Sequence, residues 1–168
     1  MNPRSARASN PSCRFLIAAL LLGLVPGSIC AQSAPNAGRK HVNLENGLAI
    51  QGYDPVAYFT GNRALRGAEN HAYRYQNATY YFASQQNLEA FKKNPARYEP
   101  AYGGWCAYAM GDSGEKVSID PETFKVKDGQ LLLFYHSTFN NTLPKWNKNE
   151  AKLHQQADQH WRNFVNVN

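Results

Sequence analysis

Hydrophobic positions mark two stretches of the chain, and each stretch has a turn signal at its centre. In residues 72–83, aromatic and polar side chains alternate on both sides of Asn77-Ala78. In residues 123–135, two strand-like segments, 123–127 and 130–135, flank Asp128-Gly129, a dipeptide that favours a two-residue hairpin turn. This pattern predicts two β-hairpins.

Apolar residues recur at helical spacing in two further segments. Ser84 is suited to cap a helix over residues 85–93, and Asn149 is suited to cap another over residues 150–164. The second segment carries an apolar stripe formed by Leu153, Ala157, Trp161 and Phe164. We therefore predict two amphipathic helices, of which the second is C-terminal.

Shorter elements are indicated by capping and turn residues. Asp54-Pro55 is typical of the start of a helix, here a short one over residues 56–59. Residues 117–119 are apolar enough for a strand, and residues 120–122 have the composition of a turn. Turn residues also precede Trp146, which we expect to be an apolar anchor.

The order hairpin, helix, hairpin, helix predicts an α+β fold. We expect a small antiparallel sheet built from hairpins, with short helices and a C-terminal helix. No internal repeat of useful length is evident in the sequence. One domain over residues 42–168 is therefore the expectation for the folded part of the chain.

The start of the chain has the layout of a secretory signal peptide. Three arginines precede the apolar run of residues 15–25, and small residues follow it up to Ala31. The run is about half the ~20 residues that a membrane span needs, so an uncleaved anchor is the lesser alternative. We predict a signal peptide over residues 1–31, a flexible segment over residues 32–41, and export, most simply to the periplasm.

Charge changes the picture once the leader is set aside. The chain has 18 Lys and Arg against 12 Asp and Glu, a formal net charge of +6. Without the three leader arginines, 15 positive charges remain against 12 negative ones, a net charge of +3. Because these charges are scattered, we predict no nucleic-acid binding, and we expect no transmembrane span after cleavage.

Cys106 is the one cysteine outside the leader region, since Cys13 and Cys30 lie within or at the edge of it. Three interpretations are open. The side chain is a small buried apolar group, a ligand for a soft metal ion, or a redox thiol activated at a helix start after Gly103-Gly104. An intramolecular disulfide cycle is excluded because a resolving cysteine is lacking.

The metal hypothesis needs further ligands near Cys106. Met110 lies four residues on and would share its face if the segment is helical. His136 and His71 border the predicted strands and are the candidate imidazole ligands. A thiolate with a thioether and imidazoles suits Cu(I), so a transition metal such as copper is the candidate cofactor.

An aromatic group offers a different kind of site. Tyr53, Tyr102 and Trp105 could line a small-ligand pocket with Asp54 at its rim. The alternatives are an aromatic core and, for Asp54, a helix cap. Known catalytic motifs for hydrolases, phosphate-binding loops, zinc proteases and dinucleotide folds are lacking from the sequence, so we lean against an enzyme.

Several motifs together resemble a bacterial exported family of YHS-domain proteins. The motifs, in chain order, are GYDPVAYF at 52–59, YYFAS at 80–84, Phe91 to Tyr98 around Asn94-Pro95, YGGWCA at 102–107, Asp120-Pro121, DGQLLL at 128–133, Trp146 and the Ala157 to Trp161 tail. They cover roughly residues 42–165. The resemblance implies a small hairpin-and-helix module linked to heavy-metal handling, especially of copper.

The resemblance also bears on the ligands. In metal-type YHS domains, cysteines stand where this chain has Ala57 and Ala83, so the usual metal cluster is lacking here. In the exported branch, the resemblance places thiol chemistry or soft-metal ligation on the cysteine of the YGG-x-C motif, which is Cys106. We therefore predict a soft-metal or single-thiol site centred on Cys106. The alternative is a small-ligand or protein-interaction module without metal, and a thiol enzyme ranks third.

Overall fold

The structure is a computed structural model that describes residues 41–167. The predicted signal peptide and nearly all of the predicted flexible segment lie outside the described residues. Within the described part, no helix has both the length and the apolar character to cross a membrane.

Six α-helices and eight strands make up the described residues. The helices are α1 (Pro55–Gly61), α2 (Gln85–Lys93), α3 (Pro95–Tyr98), α4 (Ala107–Asp112), α5 (Leu143–Lys148) and α6 (Glu150–Asn166). The strands are β1 (Leu44–Glu45), β2 (Leu48–Ala49), β3 (Ala68–Tyr75), β4 (Ala78–Phe82), β5 (Asp120–Lys127), β6 (Gln130–Phe134), β7 (His136–Ser137) and β8 (Asn140–Asn141). This composition confirms the predicted α+β fold.

The strands form one four-stranded sheet in the order β1-β2-β4-β3 and two separate hairpins, β5-β6 and β7-β8. Both predicted hairpins are present, but β2 also pairs with β4 in parallel, which the sequence did not predict. Two local predictions are wrong. Residues 117–119 are not a strand, and residues 120–122 begin β5 rather than a turn. Trp146, expected to be an apolar anchor, is fully buried and lies on α5.

Two apolar clusters form the core. The first contains Phe82 and Phe91 and extends from the large sheet, α1 and α2 to Cys106 and β6. The second contains Met110 and Trp146 and lies among α4, α5 and α6. At Gly111 the two helices α4 and α6 come so close that a Cβ there would lie 2.5 Å from the Leu153 carbonyl oxygen.

The two long hairpins have the same pairing pattern. Each position of β5-β6 follows its counterpart in β3-β4 by the same number of residues, the number that separates Ala68 from Asp120. In β3-β4, Ala68 pairs with Phe82 and Tyr75 with Ala78, and the register shifts between Ala68 and Ala72. In β5-β6, the corresponding pairs are Asp120 with Phe134 and Lys127 with Gln130, and the shift lies between Asp120 and Phe124. The first residues of α1 and α4 are separated by the same offset.

Left-handed backbone positions follow the same spacing. Residues 50–52 have positive φ, and so do residues 102–104. The turn at Gln76-Asn77 corresponds to Asp128-Gly129, and Asn62 at the end of α1 corresponds to Gly114. Since positive φ is uncommon for residues other than glycine, this series of matching positions is strong support for a repeat.

The described residues therefore contain two copies of one structural unit, unit 1 at residues 48–83 and unit 2 at residues 100–135. The expectation of no internal repeat is wrong. Few aligned positions are identical, namely Ala49/Ala101, Gly52/Gly104, Ala57/Ala109 and Phe82/Phe134. The repeat lies in backbone geometry and pairing rather than in side chains, which is why the sequence does not reveal it.

Glu150 ties the start of α6 to the β5-β6 hairpin. Its carboxylate lies 2.9 Å from the Lys125 ammonium and 3.1 Å from that of Lys127, and it accepts a hydrogen bond from the Trp146 indole N–H. Burial alone would raise the pKa of this carboxyl, but the hydrogen bonds from Lys125, Trp146 and Lys127 outweigh burial and lower it to about 2.

This shift predicts a loss of stability in acid. In the unfolded chain the pKa of Glu150 returns to about 4.5, so the stabilisation is fully present above that pH and disappears as pH falls toward 2. With the lysines partly exposed, we expect a contribution on the order of 1 kcal/mol. Urea unfolding measured between neutral and acid pH gives the change of unfolding free energy with pH, and this change should be smaller in Glu150→Gln than in wild type. In Glu115→Gln, which alters an exposed glutamate, it should be as large as in wild type. An equal change in both variants would contradict the assignment.

Candidate functional site

Cys106 is buried without exposed surface and belongs to the first apolar cluster. It stands directly before α4, and its backbone forms a parallel bridge with Leu133 of β6. Its Sγ accepts a hydrogen bond from the Tyr135 backbone N–H at 3.3 Å and lies 3.6 Å from the Thr142 hydroxyl oxygen. Both polar contacts of the sulfur are therefore internal.

The direction of these hydrogen bonds follows from the Thr142 hydroxyl. Its proton is donated to the Tyr135 carbonyl oxygen at 2.9 Å, so the oxygen is left to accept the thiol proton of Cys106. The Tyr135 N–H then points back to the sulfur. Three residues thus form a closed ring in which each polar group has a partner, an arrangement that suits a protonated, structural thiol.

Asp54 occupies the same place in unit 1 that Cys106 occupies in unit 2. The N–H of Asp54 donates to the Leu65 carbonyl, and the N–H of Cys106 donates to the Val117 carbonyl. The Asp54 carboxylate accepts the Ala83 N–H at 2.8 Å, just as the Cys106 sulfur accepts the Tyr135 N–H. In each unit, this side chain joins the start of a helix to the end of a hairpin.

Asp54 is fully buried and serves as the cap of α1. One carboxylate oxygen accepts the N–H groups of Val56 and Ala57, and the other accepts those of Ala83 and the Asn87 side-chain amide. The helix-cap interpretation is therefore confirmed. With four donors on two oxygens, this carboxylate is part of the core and does not stand at a pocket rim.

The three aromatic pocket candidates are also held by internal contacts. The Tyr53 hydroxyl donates to Glu122 at 2.9 Å, the Tyr102 hydroxyl donates to Asp158 at 2.9 Å, and the Trp105 indole N–H donates to the His41 carbonyl at 2.6 Å. Burial and the neighbouring Asp158 carboxylate raise the pKa of the Tyr102 hydroxyl. The structure places Tyr53 beside unit 2 through Glu122, and Tyr102 and Trp105 beside α6 and His41.

The candidate metal ligands lie in different surroundings. Met110 is fully buried in the second apolar cluster, whereas Cys106 belongs to the first. His136 is exposed and lies 3.2 Å from both Asp120 and Thr123. His71 lies in β3, and its Nδ1 atom is buried without a hydrogen-bond partner. Among residues 41–167, no group of three His, Cys, Asp or Glu side chains converges to hold a metal ion.

A cleft that the sequence analysis missed lies where α4, α5 and the start of α6 meet. It has a volume of about 440 Å³ and is lined by Tyr108, Asp112, Lys145, Lys148, Asn149, Lys152, Leu153 and Gln156. We call it the lysine cleft. The signal was present in the sequence, because residues 145, 148 and 152 follow helical spacing, but the break between α5 and α6 hid it.

A second cleft of about 450 Å³ lies beside the last turns of α6 and is mainly apolar. It is lined by His41, Ser113, Gly114, His160, Asn163, Phe164 and Val167. His160 Nδ1 lies 2.7 Å from the Met110 carbonyl oxygen, so this nitrogen carries the proton that is donated. None of the four sequence-predicted pocket residues lines this cleft or the lysine cleft.

Residues 56–102 match the YHS domain family model. The chain is thus similar to a YHS domain over this segment, which is less than half of its length. The match begins within α1 of unit 1, runs through α2 and α3, and stops where unit 2 begins. Neither a curated protein nor a solved structure matches the chain at the threshold of the comparison.

Unit 2 therefore follows the matched segment and repeats its hairpin-and-helix geometry. The resemblance places the metal-binding cysteines of such domains at positions held here by Ala57 and Ala83. The corresponding positions in unit 2 are Ala109 and Tyr135. Neither copy has a thiolate at either position.

Proposed function

We propose that the protein is a non-catalytic binding module made of two YHS-type units, and that it works without a metal ion on Cys106. The single observation that carries this proposal is the equivalence of Cys106 and Asp54. Each side chain fastens a hairpin to a helix, and each is enclosed by internal hydrogen bonds. A thiol in that position serves the fold.

The predicted leader supports a role outside the cytoplasm, and we propose export to the periplasm. In that compartment, a lone cysteine is exposed to oxidants unless it is enclosed. Burial of Cys106 behind Thr142 and Tyr135 gives that protection. Binding would then fall to the clefts along α6, which are within the size range of small-molecule sites.

A soft-metal (copper-type) or single-thiol redox site on Cys106 is the second candidate function. One contact favours it, because the Tyr135 N–H points at the sulfur and would stabilise a thiolate. Met110 is the candidate ligand nearest to Cys106 in sequence, and its backbone N–H donates to the Cys106 carbonyl oxygen at 3.0 Å. A local rearrangement would be needed to bring its thioether and an imidazole to the sulfur.

Copper loading distinguishes the two candidates. Wild-type protein and Cys106→Ser should hold the same amount of Cu(I) after reductive loading and desalting, measured by elemental analysis. Alkylation at Cys106, followed by peptide mass spectrometry, should be slow in the native protein at neutral pH and rapid in urea. Copper retained by wild type but not by the serine variant, or fast native alkylation, would replace the binding-module proposal with the thiol-site candidate.

A further inference from the structure

The lysine cleft carries an excess of positive charge. Three ammonium groups and one carboxylate line it, so its formal charge is +2. Asp112 lies near the Tyr108 hydroxyl, and burial followed by the charge of Asp112 raises the pKa of that hydroxyl. The single carboxylate offsets one of the three ammonium charges, so the cleft keeps an excess of positive charge.

Three lysines outside the cleft have acidic partners in the described residues, whereas Lys93 and Lys116, like the cleft lysines, have none within 4.0 Å. Lys125 and Lys127 pair with Glu150, and Lys92 pairs with Glu89. Within residues 41–167, neither Lys148 nor Lys152 has a carboxylate within 4.0 Å. The Lys145 ammonium donates to an uncharged group, the Asn140 side-chain oxygen, at 2.8 Å.

The position of Lys152 is unfavourable for the fold on its own. Lys152 lies in the first turn of α6, a helix of 17 residues, whereas Lys145 and Lys148 lie in the last turn of α5, where cations are favourable. The N-terminal end of a helix carries partial positive charge, so a cation there destabilises it and an anion stabilises it. An anion bound in the cleft would therefore offset the charge of Lys152 at the start of α6.

Comparison of the two units shows that the cleft is an addition to unit 2. In unit 1, the hairpin leads directly from β4 into α2 through Ala83 and Ser84. In unit 2, the β7-β8 ribbon and α5 are inserted after β6, and α5 with the turn that follows it supplies Lys145, Lys148 and Asn149. The insertion also serves the fold, since Thr142 contacts the Cys106 sulfur and Trp146 is fully buried in the second apolar cluster. These contacts do not account for the lysines that it brings to the cleft.

We propose that the lysine cleft binds the phosphoryl group of a phosphorylated molecule. The ammonium groups would neutralise a dianion, and the amides of Asn149 and Gln156 offer further hydrogen-bond donors. A volume of about 440 Å³ leaves room for an organic part against Leu153 and the Tyr108 ring. This inference deepens the proposed binding function and rests on it.

The test is a titration of the full chain with inorganic phosphate at constant ionic strength, followed by NMR shifts of backbone amides near the cleft. We expect saturable shifts at the start of α6 in wild type. The double variant Lys148→Gln/Lys152→Gln should bind about tenfold or more weakly, since two surface charge pairs are lost. The matched control is Lys92→Gln/Lys93→Gln, which removes the same charge from α2 and should bind as wild type does.

A second arm distinguishes a soluble phosphorylated molecule from a lipid headgroup. Vesicles containing phosphatidylglycerol are added in place of phosphate, to wild type and to Phe139→Ser. Phe139 is 98% exposed at the tip of the β7-β8 ribbon, beside Asn140, which contacts Lys145. Vesicle binding that depends on both Phe139 and the cleft lysines identifies a headgroup, and phosphate binding without vesicle binding identifies a soluble ligand.

Absence of saturable binding in both arms would overturn the phosphoryl site, and so would equal weakening by the cleft and control variants. All four substituted lysines lie on helices near the surface, so each variant should fold as wild type does. Circular dichroism of each variant verifies this. Failure here leaves the copper experiment unaffected. A metal-free module without a phosphoryl ligand is thus distinguishable from a thiol or metal site.

Discussion

Replacing Asp54 with alanine is expected to cost on the order of 3–5 kcal/mol of unfolding free energy, the largest effect among the substitutions considered. The change removes the acceptor for four donors, of which Val56 and Ala57 begin α1 while Ala83 and Asn87 lie beyond the first hairpin. Because Asp54 is fully buried, water cannot replace the carboxylate without entering the core.

Urea unfolding followed by circular dichroism measures this effect. Asp54→Asn should fall between wild type and alanine, because the amide oxygen still accepts hydrogen bonds while its NH₂ group meets other donors. Glu115→Ala is the matched control, since it removes an exposed carboxylate. An alanine variant within about 1 kcal/mol of wild type would show that the four hydrogen bonds are not the structural centre of unit 1.

Gly111→Ala is the second large expected effect, at about 2–3 kcal/mol. Its Cβ would lie 2.5 Å from the Leu153 carbonyl oxygen and 3.1 Å from the carbonyl carbon. These are backbone atoms of α6, so neither can rotate away, and α4 and α6 must separate. The second apolar cluster, which includes Met110 and Leu153, would lose contacts as they do.

Gly61→Ala is the control for this substitution. Gly61 is likewise a helical residue, at the end of α1, and its nearest neighbour is the Arg63 side chain at 3.5 Å. We expect a neutral or slightly stabilising change there, because alanine favours helix over glycine. Thermal unfolding of both variants measures the difference, and equal midpoints would show that α4 and α6 do not need their close approach.

Local signals allowed much of the fold to be predicted. Asp54-Pro55 indicated the start of α1 and Asp128-Gly129 indicated the second hairpin, because both depend on neighbours in sequence. The parallel pairing of β2 with β4 could not be predicted, since its two partners, Leu48 and Thr79, are brought together only by the fold.

The candidate site was harder to predict because its contacts are long-range. Cys106 meets Tyr135 and Thr142, which are 29 and 36 residues away. No local pattern in the sequence distinguishes that enclosed thiol from one presented to a metal. The repeat was missed for a related reason: a carboxylate in unit 1 and a thiol in unit 2 perform the same task with different chemistry.

The matching left-handed positions have a consequence for recognising this unit in other proteins. In both copies, a left-handed triplet is followed by a left-handed helix end and then by a left-handed hairpin turn, and the intervals between them are the same. Such a spacing of left-handed residues is a backbone signature that outlasts side-chain divergence. Chains that share no detectable similarity with this one could be screened for it, and duplicated forms would show the signature twice.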